Sequence, residues 1–165
     1  MVRSLQSFVI EIQLNKARIE DISPFHEGIK SVVTRRATDG FKNVTEFRNI
    51  LEGFQPAVLL SSAWDTAVAT GILAQMDYEV ASVLSQTYGI QTRFSDLNTF
   101  GNNSLMRSGA MNPENLDIAV SNAVRYLNEV TQAEAELQAA FQVVLEHIQE
   151  YRVSEEMIVA AEVAE

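Results

Sequence analysis

The chain lacks cysteine, and it is poor in the residues that interrupt regular secondary structure. Among its 165 residues there are three prolines and seven glycines. The absence of cysteine excludes disulfide bonds and thiolate metal sites. The scarcity of proline and glycine favours long elements over many short strands and turns. Because 47% of the residues are hydrophobic, the chain can form a core, and we expect one helical domain over residues 1–165.

Histidine is scarce, and the common catalytic patterns are missing. The two histidines are His26 and His147, and neither has a glutamate three residues before it. This excludes the paired Glu-x-x-His motif of di-iron bundles. The sequence also has no G-x-S-x-G nucleophile elbow, no P-loop and no dinucleotide fingerprint. We therefore expect no metal, no cofactor and no catalytic residue. The less favoured alternative is an enzyme whose active site has no familiar motif.

Positive charge is nearly absent from the C-terminal part of the chain. The net charge is −10. Residues 108–165 hold two basic and eleven acidic residues, a net charge of −9. Such a surface repels phosphate backbones and argues against nucleic-acid binding. The acidic surface is interpreted as a solvated face, and a basic partner is the alternative.

Long apolar runs are also missing. No stretch approaches the roughly 18 apolar residues that a membrane-spanning helix needs. The N-terminal stretch "MVRSLQSFVIEIQLNKARIED" has an early arginine, but glutamine, glutamate and asparagine interrupt its apolar residues. It is therefore not a signal peptide.

Apolar residues recur with alternating spacings of four and three from Leu116 to Tyr151. Ten of the eleven positions in this series are apolar, and the exception is Glu134. The stretch "MNPEN" before it has a capping residue in Asn112 and a proline at the first helical position. These signals predict one long helix from about residue 113 to 151. Small or apolar residues beside the series, such as Ala119 and Ala140, favour burial in a bundle over a narrow two-stranded coiled coil.

A second series of this kind runs from Leu5 to Val33 and keeps its register across Pro24. Its nine positions include two polar residues, Asn15 and His26. Because the register is preserved, we predict one continuous helix that is kinked or broken at the proline. The predicted fold is all-α, an elongated antiparallel helical bundle with two long heptad-patterned helices and shorter helices between them.

The stretch between the two long helices contains further helix signals. Asn43 with Glu46 forms a capping-box pattern, and Asp77 is a plausible cap for the next helix. In "SSAWDTAVATGIL" the pair Ser62 and Asp65 matches the same pattern and predicts a helix start there. Residues 95–112 are rich in glycine, asparagine and serine and predict a long loop or a frayed helix end. The tail 154–165 is expected to be mobile.

Three residues are candidates for ligand binding: Asn15, His26 and Trp64. Each also has a structural interpretation. Trp64, the only tryptophan, suits a core anchor, and His26 suits a satisfied buried histidine or, if desolvated, a pH sensor. Asn15 and Glu134 are polar residues within apolar series. Such residues fix the register between helices or the choice of partner, at a cost in stability. We therefore expect replacement of Asn15 by leucine to raise stability while loosening register or assembly.

Three stretches, "FVIEIQLNKARIED", "AWDTAVATGILAQMDYE" and "VLSQTYGIQ", resemble uncharacterised bacterial proteins with one N-terminal transmembrane helix followed by an all-helical domain. The resemblance covers residues 5–95. The residues of this chain that match the pattern of the family are Glu11, Asn15, Trp64, Ala67, Gly71, Tyr78 and Tyr88. It implies a membrane anchor upstream of residue 1 and assigns no catalytic role. The abrupt start of the first apolar series, without an acidic first turn, agrees with that expectation.

Together these features favour a non-enzymatic helical interaction or scaffold domain. We expect a protein partner or self-association, no nucleic acid, and a place at the bacterial cell envelope, with a cytoplasmic bundle as the alternative. The second hypothesis is a helical sensor that binds a small ligand near Asn15, His26 and Trp64.

Overall fold

Five α-helices and two short 3-10 turns make up the regular structure in the computed structural model, which describes residues 2–52, 54–106 and 112–163 and the side chains of residues 5–52, 54–101 and 112–154. The helices are α1 (Val2–Asp39), α2 (Val44–Leu51), α3 (Ser62–Thr70), α4 (Tyr78–Met106) and α5 (Leu116–Val163). Turns of 3-10 helix span Ile72–Gln75 and Pro113–Asn115. The described residues include no strand. The prediction of an all-α bundle with two long helices is confirmed.

Helix α1 is continuous through Pro24, as its preserved register predicts. Proline removes one backbone N–H from a helix interior, so the packing of the apolar face must compensate for the lost bond. That face is deeply buried. Eight of its nine positions are buried, namely Leu5, Phe8, Ile12, Asn15, Ile19, His26, Ile29 and Val33.

Helix α5 begins where the sequence signals place it. The Asn112 side chain accepts a hydrogen bond from the Glu114 amide, and Pro113 follows as the first residue of a 3-10 turn that leads into the helix. The apolar series is buried along most of its length, from Val120 to Ile148. The helix extends to Val163, beyond the predicted end near residue 151.

The shorter helices largely follow their local signals. Asn43 caps α2 by accepting the Glu46 amide, and Asp77 accepts the Glu79 amide at the start of α4. Of the two structures predicted for residues 95–112, the loop is wrong for residues 95–106, because α4 continues through them. The frayed helix end stays a prediction. Residues 107–111 lie outside the described residues. The tail from 154 to 163 is helical, and its expected mobility stays a prediction.

The chain forms two compact units, and α1, α4 and α5 each contribute to both. Unit 1 comprises residues 1–17, 59–91 and 137–165, and unit 2 comprises residues 18–58 and 92–136. In unit 2 the contacts of His26 with Glu134 and of Lys30 with Thr131 show that α1 and α5 run antiparallel. In unit 1 the contacts of Glu11 with Tyr88 and of Asn15 with Gln91 show that α1 and α4 run parallel. The expectation of a single domain stays a prediction.

Candidate functional site

Asn15 is fully buried in unit 1 and binds the backbone of the segment that precedes α3. Its side-chain oxygen accepts the Leu60 amide at 2.8 Å, and its Nδ2 donates to the Leu60 carbonyl at 2.8 Å. Gln91 of α4 donates to the same carbonyl and accepts from Asn15. Leu60 belongs to no helix, so its backbone groups lack helical partners. The two amide side chains satisfy these groups. The structural role of Asn15 is therefore to hold the segment before α3 against α1.

Glu11 lies one turn before Asn15 and accepts three hydrogen bonds although only 4% of its surface is exposed. Its Oε2 accepts from the Ser62 hydroxyl at 2.6 Å and from the Ala63 amide at 2.9 Å. Its Oε1 accepts from the Tyr88 hydroxyl at 2.7 Å. A carboxylate here meets an unpaired amide at the positive end of the α3 dipole. Glu11 therefore caps α3 from another helix.

This arrangement corrects the predicted start of α3. The N-cap residue is Ser61, and its side chain makes no bond to the helix backbone. Instead, its hydroxyl donates to the Asp65 carboxylate at 2.8 Å, while the Ser62 hydroxyl donates to Glu11. The capping role expected of Ser62 and Asp65 is wrong, because the Ser62 hydroxyl donates to Glu11 and the Asp65 amide donates to the Ser61 carbonyl at 2.8 Å.

Trp64 belongs to an aromatic group centred on Tyr88. The Trp64 ring stacks on Tyr88 with centroids 5.1 Å apart and planes 16° apart, and Phe8 meets Tyr88 edge-on at 6.0 Å. Burial raises the pKa of Tyr88, and the hydrogen bond to Glu11 and the charges of Glu11 and Asp65 raise it further. Tyr88 thus stays protonated and donates to Glu11 at neutral pH. Trp64 is half-buried against this group, in agreement with the core-anchor interpretation.

His26 is fully buried in unit 2 between a carboxylate and a carbonyl. Its Nδ1 lies 2.5 Å from Glu134 Oε1, and its Nε2 lies 3.0 Å from the Gln55 carbonyl oxygen. A carbonyl oxygen only accepts, so Nε2 carries a proton and donates. One further proton lies between Nδ1 and the carboxylate. Phe54 stacks on the imidazole at 4.5 Å and shields the pair from water.

Two buried polar atoms of unit 2 lack a hydrogen-bond partner among the described residues: Glu134 Oε2 and Asn98 Nδ2. Asn98 accepts a hydrogen bond from the Tyr126 hydroxyl at 3.2 Å through its other side-chain atom. Burial raises the pKa of Tyr126, and the negative charge of Glu134 raises it further. Helices α4 and α5 therefore both carry buried polar groups in the core of unit 2.

An open groove in unit 1 lies between the exposed face of α1 and α3, with a cavity volume of about 720 Å³. Five α1 residues line one wall: Ser7, Phe8, Ile10, Glu11 and Leu14. Five α3 residues line the other: Ser62, Ala63, Thr66, Ala67 and Thr70. Ile10 is 51% exposed and Leu14 is 49% exposed, and they stand one turn apart on the α1 wall. Cavities of this size accommodate ligands or side chains of a partner.

The three predicted site residues fall in different places. Asn15 and Trp64 lie in unit 1, around Gln91 and Tyr88, whereas His26 lies in unit 2. None of them lines the groove. Ligand binding by these residues stays a prediction. Two residues named through the family resemblance, Glu11 and Ala67, do line it.

The sequence reasoning missed Ile10 and Leu14 as surface residues of the groove. The signal that could have found them is their position, since both are apolar but lie off the buried series that runs through Phe8, Ile12 and Asn15. An apolar pair with i, i+4 spacing on a second face of a helix marks a surface that the fold itself does not bury.

Within residues 5–52, 54–101 and 112–154, no three potential ligand residues of the His, Asp or Glu types gather around one point where a metal ion could bind. In the same described part of the chain, no helix combines the length and the apolar character that crossing a bilayer requires.

Comparison of the chain with protein-family models, with curated proteins and with solved structures finds no match. The function is therefore inferred from the groove and from the buried polar side chains around Asn15 and His26.

Proposed function

We propose that this chain is a non-enzymatic helical interaction domain that binds a protein partner in the groove between α1 and α3. The observation that carries the proposal is the exposure of Ile10 and Leu14, about half of each side chain, beside a wall of small α3 residues. Neighbouring apolar side chains that are exposed to water along a groove are typical of a binding surface. The partner is expected to cover them.

The buried polar side chains support a binding role over a catalytic one. Asn15 and Glu11 bond to backbone and side-chain groups of the protein itself, as does His26. A general acid or base must have a polar atom free to reach a substrate. Glu11 lines the groove, but it accepts three protein hydrogen bonds there. These polar groups hold segments of the chain in place, whereas the apolar wall of the groove is available to bind a partner.

Site-specific photo-crosslinking in the native host tests this function. A photoreactive residue replaces Ile10 in one variant and Val68 in a second. Val68 is the matched control because it is exposed on α3 but does not line the groove. We expect one defined protein adduct from position 10 and none of that mass from position 68. Absence of any adduct at position 10, or the same adducts from both positions, would contradict the proposal.

The proposal includes a cellular setting, namely a membrane anchor upstream of residue 1 and a place at the cell envelope. They are supported by the family resemblance.

A further inference from the structure

Each wall of the groove is about as long as the span from residue i to residue i+7 of a helix. The α1 wall runs from Ser7 to Leu14, which is about 10 Å at 1.5 Å per residue, and the α3 wall from Ser62 to Thr70 is about 12 Å long. Side chains on two neighbouring helices leave a channel into which ridges of a third helix pack. The small side chains of Ala63 and Ala67 allow close approach of a helix backbone.

The groove is an open trough rather than an enclosed pocket. Six of its lining residues are exposed: Ser7, Ile10, Leu14, Ser62, Thr66 and Thr70. Small-molecule sites bury most of the ligand surface. A small molecule in this trough would leave much of its surface in water, whereas an amphipathic helix would cover Ile10 and Leu14 and keep its polar face solvated.

The net charge of unit 1, to which the groove belongs, is negative. Glu11 is the one charged residue among the described residues that line it, and no lysine or arginine does so. The side chains of unit 1 that the structure describes include six acidic and two basic residues, a net charge of −4. A surface of this sign attracts a cationic partner and repels an acidic one.

We infer that the occupant of the groove is a basic amphipathic helix of a partner protein, with apolar residues at i, i+3 or i+4, and i+7 spacing. The helix lays its apolar face on Ile10 and Leu14 and against the small residues of α3. Its lysine or arginine residues lie toward the acidic surface of unit 1. This inference rests on the proposed function and adds the chemistry of the partner to it.

The test uses the full chain and synthetic peptides without aromatic residues, so that Trp64 is the only tryptophan in the mixture. Trp64 follows Ala63 of the groove wall directly in α3, and its fluorescence reports occupation of the groove. The probe is an 18-residue leucine–lysine peptide with one apolar helical face. Its controls are a scrambled isomer without that face, a leucine–glutamate version, and dodecyltrimethylammonium as a small cationic amphiphile.

We expect saturable 1:1 binding of the leucine–lysine peptide, at least tenfold tighter than binding of the scrambled or acidic versions. The variant Ile10→Gln/Leu14→Gln should weaken binding at least tenfold, and Val68→Gln less than twofold. Thr66→Arg, which adds a positive charge inside the groove, should weaken binding about fivefold. Ala69→Arg adds the same charge on an exposed α3 position outside the groove and should change it less than twofold.

Equal affinity for the scrambled isomer, or wild-type affinity in both groove variants, would overturn the inference. Binding of the small amphiphile but not of the peptide would also overturn it. A dimer that forms with rising concentration in sedimentation velocity, and that Ile10→Gln/Leu14→Gln abolishes, would overturn it as well. A defined crosslink at position 10 without binding of the leucine–lysine peptide would leave the proposed function standing and remove only this inference. Peptide binding without any crosslink in the host would instead remove the proposed function.

Discussion

At the scale of single residues, polar side chains of α1 hold the irregular segment between α2 and α3 in place. Asn15 binds Leu60, Arg18 donates to the Val58 carbonyl at 2.8 Å, and His26 donates to the Gln55 carbonyl. Backbone groups outside helices need partners when they are packed against a core. Two residues that the sequence presents as defects in an apolar face therefore have a structural use.

The first prediction concerns Asn15. The sequence alone suggested that Asn15→Leu would raise stability, but the structure reverses the expected sign. Leucine would leave the Leu60 amide without its side-chain partner and would deprive Gln91 of a hydrogen bond. We expect a loss of about 1–3 kcal/mol in the free energy of unfolding for each group left unsatisfied. Urea unfolding measures it, with the half-exposed Leu14→Gln as control, and an increase in stability would refute the bonding scheme.

The second prediction concerns the His26–Glu134 pair. His26→Leu leaves a carboxylate buried without its partner, and we expect a loss of about 3–5 kcal/mol. The double variant His26→Leu/Glu134→Leu removes both polar groups and should recover most of that loss. A double-mutant cycle by urea unfolding measures the coupling. Additive losses in the double variant would show that the two residues do not interact.

The third prediction concerns the two buried tyrosines. The folded protein raises the pKa of Tyr88 and Tyr126, chiefly by burial, and so favours their neutral forms. This contribution to stability is fully present below the ordinary tyrosine pKa of about 10 and is lost as the pH rises toward the raised values. We expect the free energy of unfolding to fall between pH 10 and 11, and to fall less steeply in Tyr88→Phe/Tyr126→Phe. An unchanged slope in that variant would contradict the account.

At the scale of helices, α4 and α5 approach closely in unit 2 at Gly101. A Cβ atom added to Gly101 would collide with the ring of Tyr126, which is buried. The glycine thus makes room for an aromatic side chain of the facing helix. In the sequence Gly101 lies in a stretch rich in asparagine and serine, and that composition predicts a long loop or a frayed helix end.

The fourth prediction uses this contact and a matched control in the same helix. Gly101→Ala forces the Tyr126 ring to move, and we expect a loss of about 1–3 kcal/mol. Gly89→Ala adds a Cβ where no atom lies within 4 Å, and it should stabilise α4 by about 0.5–1 kcal/mol. Thermal unfolding of both variants tests the pair. If Gly101→Ala and Gly89→Ala changed the stability equally, α4 and α5 would have to lie further apart than they do in the structure.

The helices were largely predictable from the sequence because the apolar series and the caps at Asn43, Asp77 and Asn112 are local signals. The cap of α3 was not, since Glu11 reaches Ala63 across 52 positions of the chain. The groove was not predictable as a groove either. Its apolar residues are visible in the sequence, but only the packing of α3 beside α1 makes them one surface.

At the scale of the whole molecule, the two units differ in what they bury and in what they leave exposed. Unit 2 buries an ionisable pair in its core, and unit 1 carries the apolar groove. We propose that the groove serves association and not folding.

The measurement that tests this claim most directly compares partner binding with stability in one variant. The protein crosslinked at position 10 is identified, purified and titrated against the wild-type chain, Ile10→Gln/Leu14→Gln and Val68→Gln, and urea unfolding is measured for all three. Since Ile10 and Leu14 are half exposed, we predict at least tenfold weaker binding by the double variant, with its free energy of unfolding within about 1 kcal/mol of wild type. Undiminished binding, or a loss of stability as large as that of a core substitution, would contradict the claim.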